Sequence, residues 1–227
     1  MSAAQPAAKS EQKLFEAIRA GDASRVSELL DAAPGLAGAR TPEGASGALM
    51  AIYCGHPEMV ALFEDRGVVL NLFEACAAGR PERVAALVGG DPSLVGGYSG
   101  DGYPALGLAV FFGHDDIAGM LMESGADVNA ASRNSQRVTP LHAAAARHNT
   151  KLVGDLLARG ADPDAAQGGG ITALHEAAFH GDGEIVDLLL GYGADPRQKT
   201  AEGKTAGEMA AERGHAELAT VLARLAG

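Results

Sequence analysis

Apolar residues recur at i, i+3 and i+4 in four segments of the C-terminal half: DDIAGMLMESGADVN, KLVGDLLARGADPD, EIVDLLLGYGADPR and AELATVLARLAG. That spacing puts one apolar stripe on each, so each is predicted to be an amphipathic helix. A shorter, alanine-rich segment stands before each of them: PALGLAVFFGH, TPLHAAAARH, TALHEAAFHG and TAGEMAAERG. Thr or Pro opens these by capping and by a preset φ. Gly closes most of them where a left-handed turn is needed. The chain therefore reads as paired helices, a small-residue helix followed by an amphipathic one.

The pairs repeat. TPLHAAAARH at Thr139 is followed 33 residues later by TALHEAAFHG and after another 33 by TAGEMAAERG. The N-terminal half is more degenerate, but LFEAIRAGDASRVSELL from Leu14 aligns with LFEACAAGRPERVAALV from Leu72 at an offset of 58. Helix-opening positions then fall near 14, 48, 72, 106, 141, 174 and 207, giving about seven units. A 33-residue period with T-P-L-H-x-A and a later G-A-D-x-N/D resembles the ankyrin repeat. The resemblance covers roughly residues 12–225. It implies an all-α solenoid of about seven helix-turn-helix units with short β-hairpin fingers, stacked as one structure because no unit buries its apolar stripe alone. One domain is expected over 12–227, after a disordered tail over 1–11.

Two spacings depart from the period. From 106 to 141 is 35 residues, so the finger RNSQRV carries two extra. From 48 to 72 is only 24, so the second unit runs directly into the third, and a missing finger is expected to leave a notch there.

Composition narrows the classes of function. The formal charge of −11 repels phosphate backbones and anionic lipid, so neither nucleic acid nor a membrane surface is an expected partner. No stretch approaches the length of a membrane span. MSAAQPAAKSEQK has no apolar core or cleavage-like pattern, so no signal peptide is expected. Cys54 and Cys76 are too few for a disulfide framework or a four-cysteine zinc site, and a reducing cytoplasm is the expected location.

Most of the seven histidines are accounted for by the repeat. The resemblance gives His142 and His175 a role at the helix start, bonding the local Thr and backbone. His56, His114 and His215 follow the turn glycine, and His148 replaces one. His142 and His175 lie a whole repeat apart, about 8–10 Å between helix axes, too far to share a zinc unless their side chains converge. No metal or cofactor is expected.

His180 is surplus. It lies four residues after Glu176, so the two share a helical face. They are either an ordinary i,i+4 contact or a proton-transfer pair. The resemblance places them on the concave face, toward the fingers. There the middle exposed position of successive first helices reads Arg19, Tyr53, Ala77, Phe111, Ala146, Phe179 and Glu212, with large and small residues alternating through the central units. Met50, Leu108 and Phe112 flank it, then Arg147 and His180. Arg133 and Arg137 on the long finger suit a partner carboxylate, or simply a solvated loop.

Exposed aromatics on one wall are the expected anchors of a binding surface. The resemblance implies a protein–protein recognition module working through concave helices and fingers, without cofactor or chemistry. The alternative is a small, largely apolar carbonyl-containing ligand held in the groove, with Glu176 and His180 performing acid/base chemistry such as elimination, addition or cyclisation.

Overall fold

The computed structural model describes residues 4–227, with side chains from residue 8 onward. It divides into two compact units, Met1–Ala105 and Leu106–Gly227. Among the described residues the regular structure is all helical, and the expected hairpin fingers reduce to isolated antiparallel bridges.

The first unit holds α1 (Ala4–Arg19), α2 (Ala23–Ala32), α3 (Gly47–Tyr53), α4 (Val60–Glu64), α5 (Leu72–Ala77) and α6 (Pro81–Gly90). Of the tail expected over 1–11, residues 1–3 lie outside the described residues and residues 4–11 begin α1. Ala, Gln, Lys and Glu dominate that stretch and carry high helix propensity. The buried Leu14, Phe15 and Ile18 anchor the following turns. Phe63 of α4 is fully buried, and its ring lies where a Cβ on Gly47 would stand, so α3 approaches it closely.

The second unit begins on α7 (Ala105–Phe112) and continues through α8 (Asp115–Glu123), α9 (Pro140–Ala146), α10 (Thr150–Ala158), α11 (Ala173–His180), α12 (Gly183–Gly191), α13 (Ala206–Glu212) and α14 (Ala216–Ala226). Ile117, Leu121, Leu141, Val153, Leu156, Ile185 and Leu189 form its core, each with at most 1% of its surface exposed. All but Leu141, which lies on the alanine-rich α9, come from the predicted i, i+3, i+4 stripes.

Helices of seven or eight residues are too short to persist alone, and their caps show how they are held. In α9 the His142 amide donates to Thr139 Oγ1 at 3.4 Å, and the Thr139 hydroxyl lies 2.7 Å from His142 Nδ1. Thr172 and His175 repeat the arrangement in α11. Glu occupies the same helix position in α5 and α13, where Asn71 with Glu74 and Thr205 with Glu208 complete equivalent reciprocal caps.

Each histidine also reaches the next finger. His142 Nε2 lies 3.0 Å from the Ile171 carbonyl, and His175 Nε2 lies 3.2 Å from that of Lys204. Because Nδ1 accepts from the threonine, Nε2 carries the proton and donates. Burial pushes both imidazoles below the usual histidine range, which keeps them neutral. These two are scaffold.

Fingers of the second unit join through backbone bonds. Gly168 N–H donates to Gln136 O at 2.6 Å, and Ala201 N–H donates to Gly169 O at 2.7 Å. The two extra residues of the 133–138 finger are absorbed by a turn in which Arg137 takes φ 52°, closed by Ser132 N–H donating to Val138 O. His148 takes φ 57° in the place of a turn glycine.

In the first unit the connection between α4 and α5 carries no bridge, so the second repeat has no hairpin finger. The expected notch is nevertheless closed at the fingers. The turns at Gly44 and Gly100 press backbone on backbone: a Cβ on Gly44 would lie 2.6 Å from Gly100 O, and one on Gly100 would lie 2.5 Å from Gly44 O. With no side chain on either turn, the fingers flanking the missing one meet directly. A recess of about 290 Å³ remains at the junction itself, lined by Val68, Val69, Leu70, Glu64, Arg80 and Arg83.

Candidate functional site

In the first unit, Tyr53 ends α3 half-buried. Its hydroxyl donates to Asp101 Oδ2 at 2.6 Å, and its ring packs tilted against Tyr103, 6.3 Å between centroids. Ser99 Oγ donates to the other Asp101 oxygen at 2.5 Å. Burial and then the Asp101 carboxylate push the Tyr53 phenol far above the usual tyrosine value, so it stays a donor. Met50, also half-buried, lies one turn earlier with its sulfur 3.7 Å from that of Cys54. Tyr53 is thus a cross-brace to the finger carrying Asp101, offering only part of its ring to solvent.

In the second unit the predicted wall is partly core. Leu108 is 1% exposed and belongs to the packing beneath α7, a correction to its expected place on the surface. It lies three residues before Phe111, yet the turn of the helix carries it inward, whereas Phe111 is 54% exposed. Phe112 is half-buried and meets the Phe111 ring edge-on at 5.1 Å. The guanidinium of Arg147, at the end of α9, donates from Nη1 to Phe111 O at 3.1 Å. Arg133 and Arg137 are exposed on the long finger, the latter held in its turn by the positive φ.

Two repeats further on, Phe179 is half-buried on α11 with the Arg213 guanidinium over its ring, 4.4 Å from the centroid. It borders a recess of about 350 Å³ whose walls include Ile171, Met209, Ala201, Lys204 and Glu212. Lys204 Nζ donates to Glu212 at 2.8 Å and lies 3.9 Å from Glu202, so one lysine serves two acids at the rim.

His180 lies beside this recess but does not line it, and neither does Glu176. The two are 3.4 Å apart, His180 Nε2 to Glu176 Oε1. The His180 ring stands edge-on to those of Phe179, at 5.1 Å, and His148, at 4.8 Å, and His148 pairs with Asp182. The arrangement is two imidazoles meeting edge-on, each with its own carboxylate. Among the described residues no group of three His, Cys, Asp or Glu side chains is placed to hold a metal ion.

Arg213, Ile171 and Met209 were not among the expected site residues. Arg213 had a legible signal, since Arg147, His180 and Arg213 occupy one position of the 33-residue period. Met209 had the same signal, since it stands 33 residues after Glu176; Ile171 had none, because only the folded finger brings it to the recess beside Phe179.

No helix is long and apolar enough to cross a membrane among the described residues. No curated protein compared with the chain matches it. The family model described as ankyrin repeats, three copies, matches residues 72–167 and again 141–226, together more than half of the sequence. With the reciprocal Thr–His caps, the left-handed turn glycines and the 33-residue spacing, this establishes the relationship: the chain belongs to the ankyrin-repeat family.

Proposed function

We propose that this chain is a recognition module that takes a segment of a partner protein across the first helices and fingers of its second unit. Ankyrin repeats generally serve protein–protein interaction. The observation that carries the reading here is Phe111, 54% exposed on a helix whose preceding residues are all core. Large exposed aromatics on a rigid element are the usual anchors of an interface. Phe179, with the recess at its side, supplies a second anchor two repeats away. Arg147 lies against the first, and the exposed Arg133 and Arg137 offer further cations on the long finger. In the first unit, Tyr53 and Met50 offer a smaller contact, since the finger already covers much of the tyrosine. The cytoplasm suits such a module, with Cys54 and Cys76 as free thiols.

Selection of displayed random twelve-residue peptides on the full chain tests this. Enriched peptides, synthesised and measured by fluorescence polarisation, should bind the unaltered chain and lose most of their affinity with Phe111→Ala or Phe179→Ala. Enriched peptides indifferent to both substitutions refute the reading. If no peptide is enriched and the purified chain instead releases a small apolar molecule on unfolding, the recess beside Phe179 is a ligand pocket and the second reading takes its place.

A further inference from the structure

Resting on that reading, we propose the chemistry of the partner: an extended segment with two acidic residues about five or six positions apart, each next to an apolar residue. The two acids would sit on a pair of matching sites in the second unit, each made of one phenylalanine and the arginine of the following repeat.

The sites are Phe111 with Arg147 and Phe179 with Arg213. In both, the arginine stands at the end of a first helix and lies back against the repeat before it. Arg147 bonds the Phe111 carbonyl and occupies the space over Gly113, where any side chain would collide with its guanidinium. The corresponding space over Gly181 is filled by the imidazole of His215, so at Gly113 a guanidinium takes the seat that an imidazole takes there. Arg213 lies flat over the Phe179 ring. Both arginines are exposed, and among the described residues neither has a carboxylate within ion-pair distance. A guanidinium already held by a ring or a carbonyl keeps most of its N–H fork for a carboxylate and loses less freedom on binding one.

The surroundings favour that occupant. Most acids near the sites are already engaged: Asp182 by His148, Glu176 by His180 at 3.4 Å, and Glu212 by Lys204 at 2.8 Å, while Glu202 on the rim of the recess shares that lysine at 3.9 Å. The acidity of this unit lies instead on the second helices. α8 carries Asp115, Asp116 and Glu123 and α12 carries Glu184 and Asp187, with no Lys or Arg on either. Between the two sites lies the small, exposed Ala146, which lets a chain pass. Beside the second site, the recess of about 350 Å³ lined by Ile171 and Met209 accepts an apolar side chain.

The spacing follows from the repeat. Packed helices stand about 8–10 Å apart, so sites two repeats apart are separated by roughly 16–20 Å. An extended chain advances about 3.3 Å per residue, which places the two acids five or six residues apart.

The peptides selected above provide the test, now read for sequence. Asp or Glu should be enriched at two positions five or six apart, each beside Leu, Met or Phe. Arg147→Gln and Arg213→Gln should each weaken binding about tenfold, with the helical circular dichroism spectrum and cooperative unfolding retained. Replacing the matching peptide acid by its amide should cost the same, and adding it to the arginine variant should cost little more. Arg147→Lys and Arg213→Lys, which keep the charge but not the fork, should restore only part of the loss. Peptides that need Phe111 and Phe179 but carry no paired acids, or carry them at another spacing, overturn this inference and leave the recognition module standing. Peptides that ignore both phenylalanines, or no enriched peptide at all, overturn both.

Discussion

The contact between Gly44 and Gly100 makes a quantitative prediction about the missing finger. Three alanine substitutions separate its two components. Gly67→Ala meets no atom within 4 Å but must adopt φ +81°, so it bears the conformational cost alone, about 1–2 kcal/mol. Gly100→Ala has no left-handed requirement, but its Cβ would stand 2.5 Å from Gly44 O. Backbone cannot swing aside as a side chain does, so one finger must shift, costing about 1–3 kcal/mol. Gly44→Ala combines φ +98° with a Cβ 2.6 Å from Gly100 O, for a total of about 2–5 kcal/mol. Urea unfolding followed by far-ultraviolet circular dichroism measures this. With a slope of about 2 kcal/mol per molar urea, the midpoint should fall by about 0.5–1 M for Gly67→Ala and by about 1–2.5 M for Gly44→Ala. If Gly44→Ala is no worse than Gly67→Ala at equal slopes, the fingers do not meet and the notch is open.

Three further outcomes follow from the caps and braces. His142 and His175 are kept neutral by burial, so below the ordinary histidine value of about 6.5 the unfolded chain takes up protons that the folded chain refuses. Stability is therefore full above about pH 6.5 and declines as pH falls toward the lowered folded values, by at most about 1.4 kcal/mol per pH unit per histidine. His142→Gln should be less stable at pH 7.5 by about 1–3 kcal/mol, through unpartnered buried groups, and should show a shallower decline. An unchanged pH slope in urea titrations contradicts the assignment. At His148, both His148→Ala and His148→Gly lose the Asp182 partner, but only alanine keeps the left-handed strain. The glycine variant should be the more stable by about 1 kcal/mol, and equal melting temperatures would remove the strain argument. Tyr53→Phe should lower stability by about 1–2 kcal/mol, since it leaves Asp101 with one donor fewer. In spectrophotometric titration of the folded chain, one of its four tyrosines should ionise only on alkaline unfolding, and that one should be missing from the variant.

Much of the candidate site was half legible. Phe111, Phe179, Arg147 and the Glu176–His180 pair could be singled out by subtracting the repeat's own residues, since a position reserved for the scaffold is recognisable at every thirty-third residue. Which of the surplus residues face solvent could not be read that way. Leu108 and Phe111 lie three residues apart on one short helix, and only the packing of adjacent repeats makes one core and leaves the other out. Tyr53 belongs to the surplus too, yet Asp101, 48 residues away, makes it largely a brace.

Sequence alone determined what depends on neighbours close along the chain. Caps form between a Thr and a His or Glu three residues on, turn glycines answer a local φ, and apolar stripes follow the pitch of one helix. The repeat register follows by comparing such local signals with one another. Tertiary structure decided what depends on atoms from another repeat: fingers closing over a missing one at Gly44 and Gly100, Arg147 seated over Gly113, Arg213 laid on Phe179. Such contacts turn on tenths of an ångström between segments that share no local geometry, so the periodicity that specifies each helix pair says nothing of them.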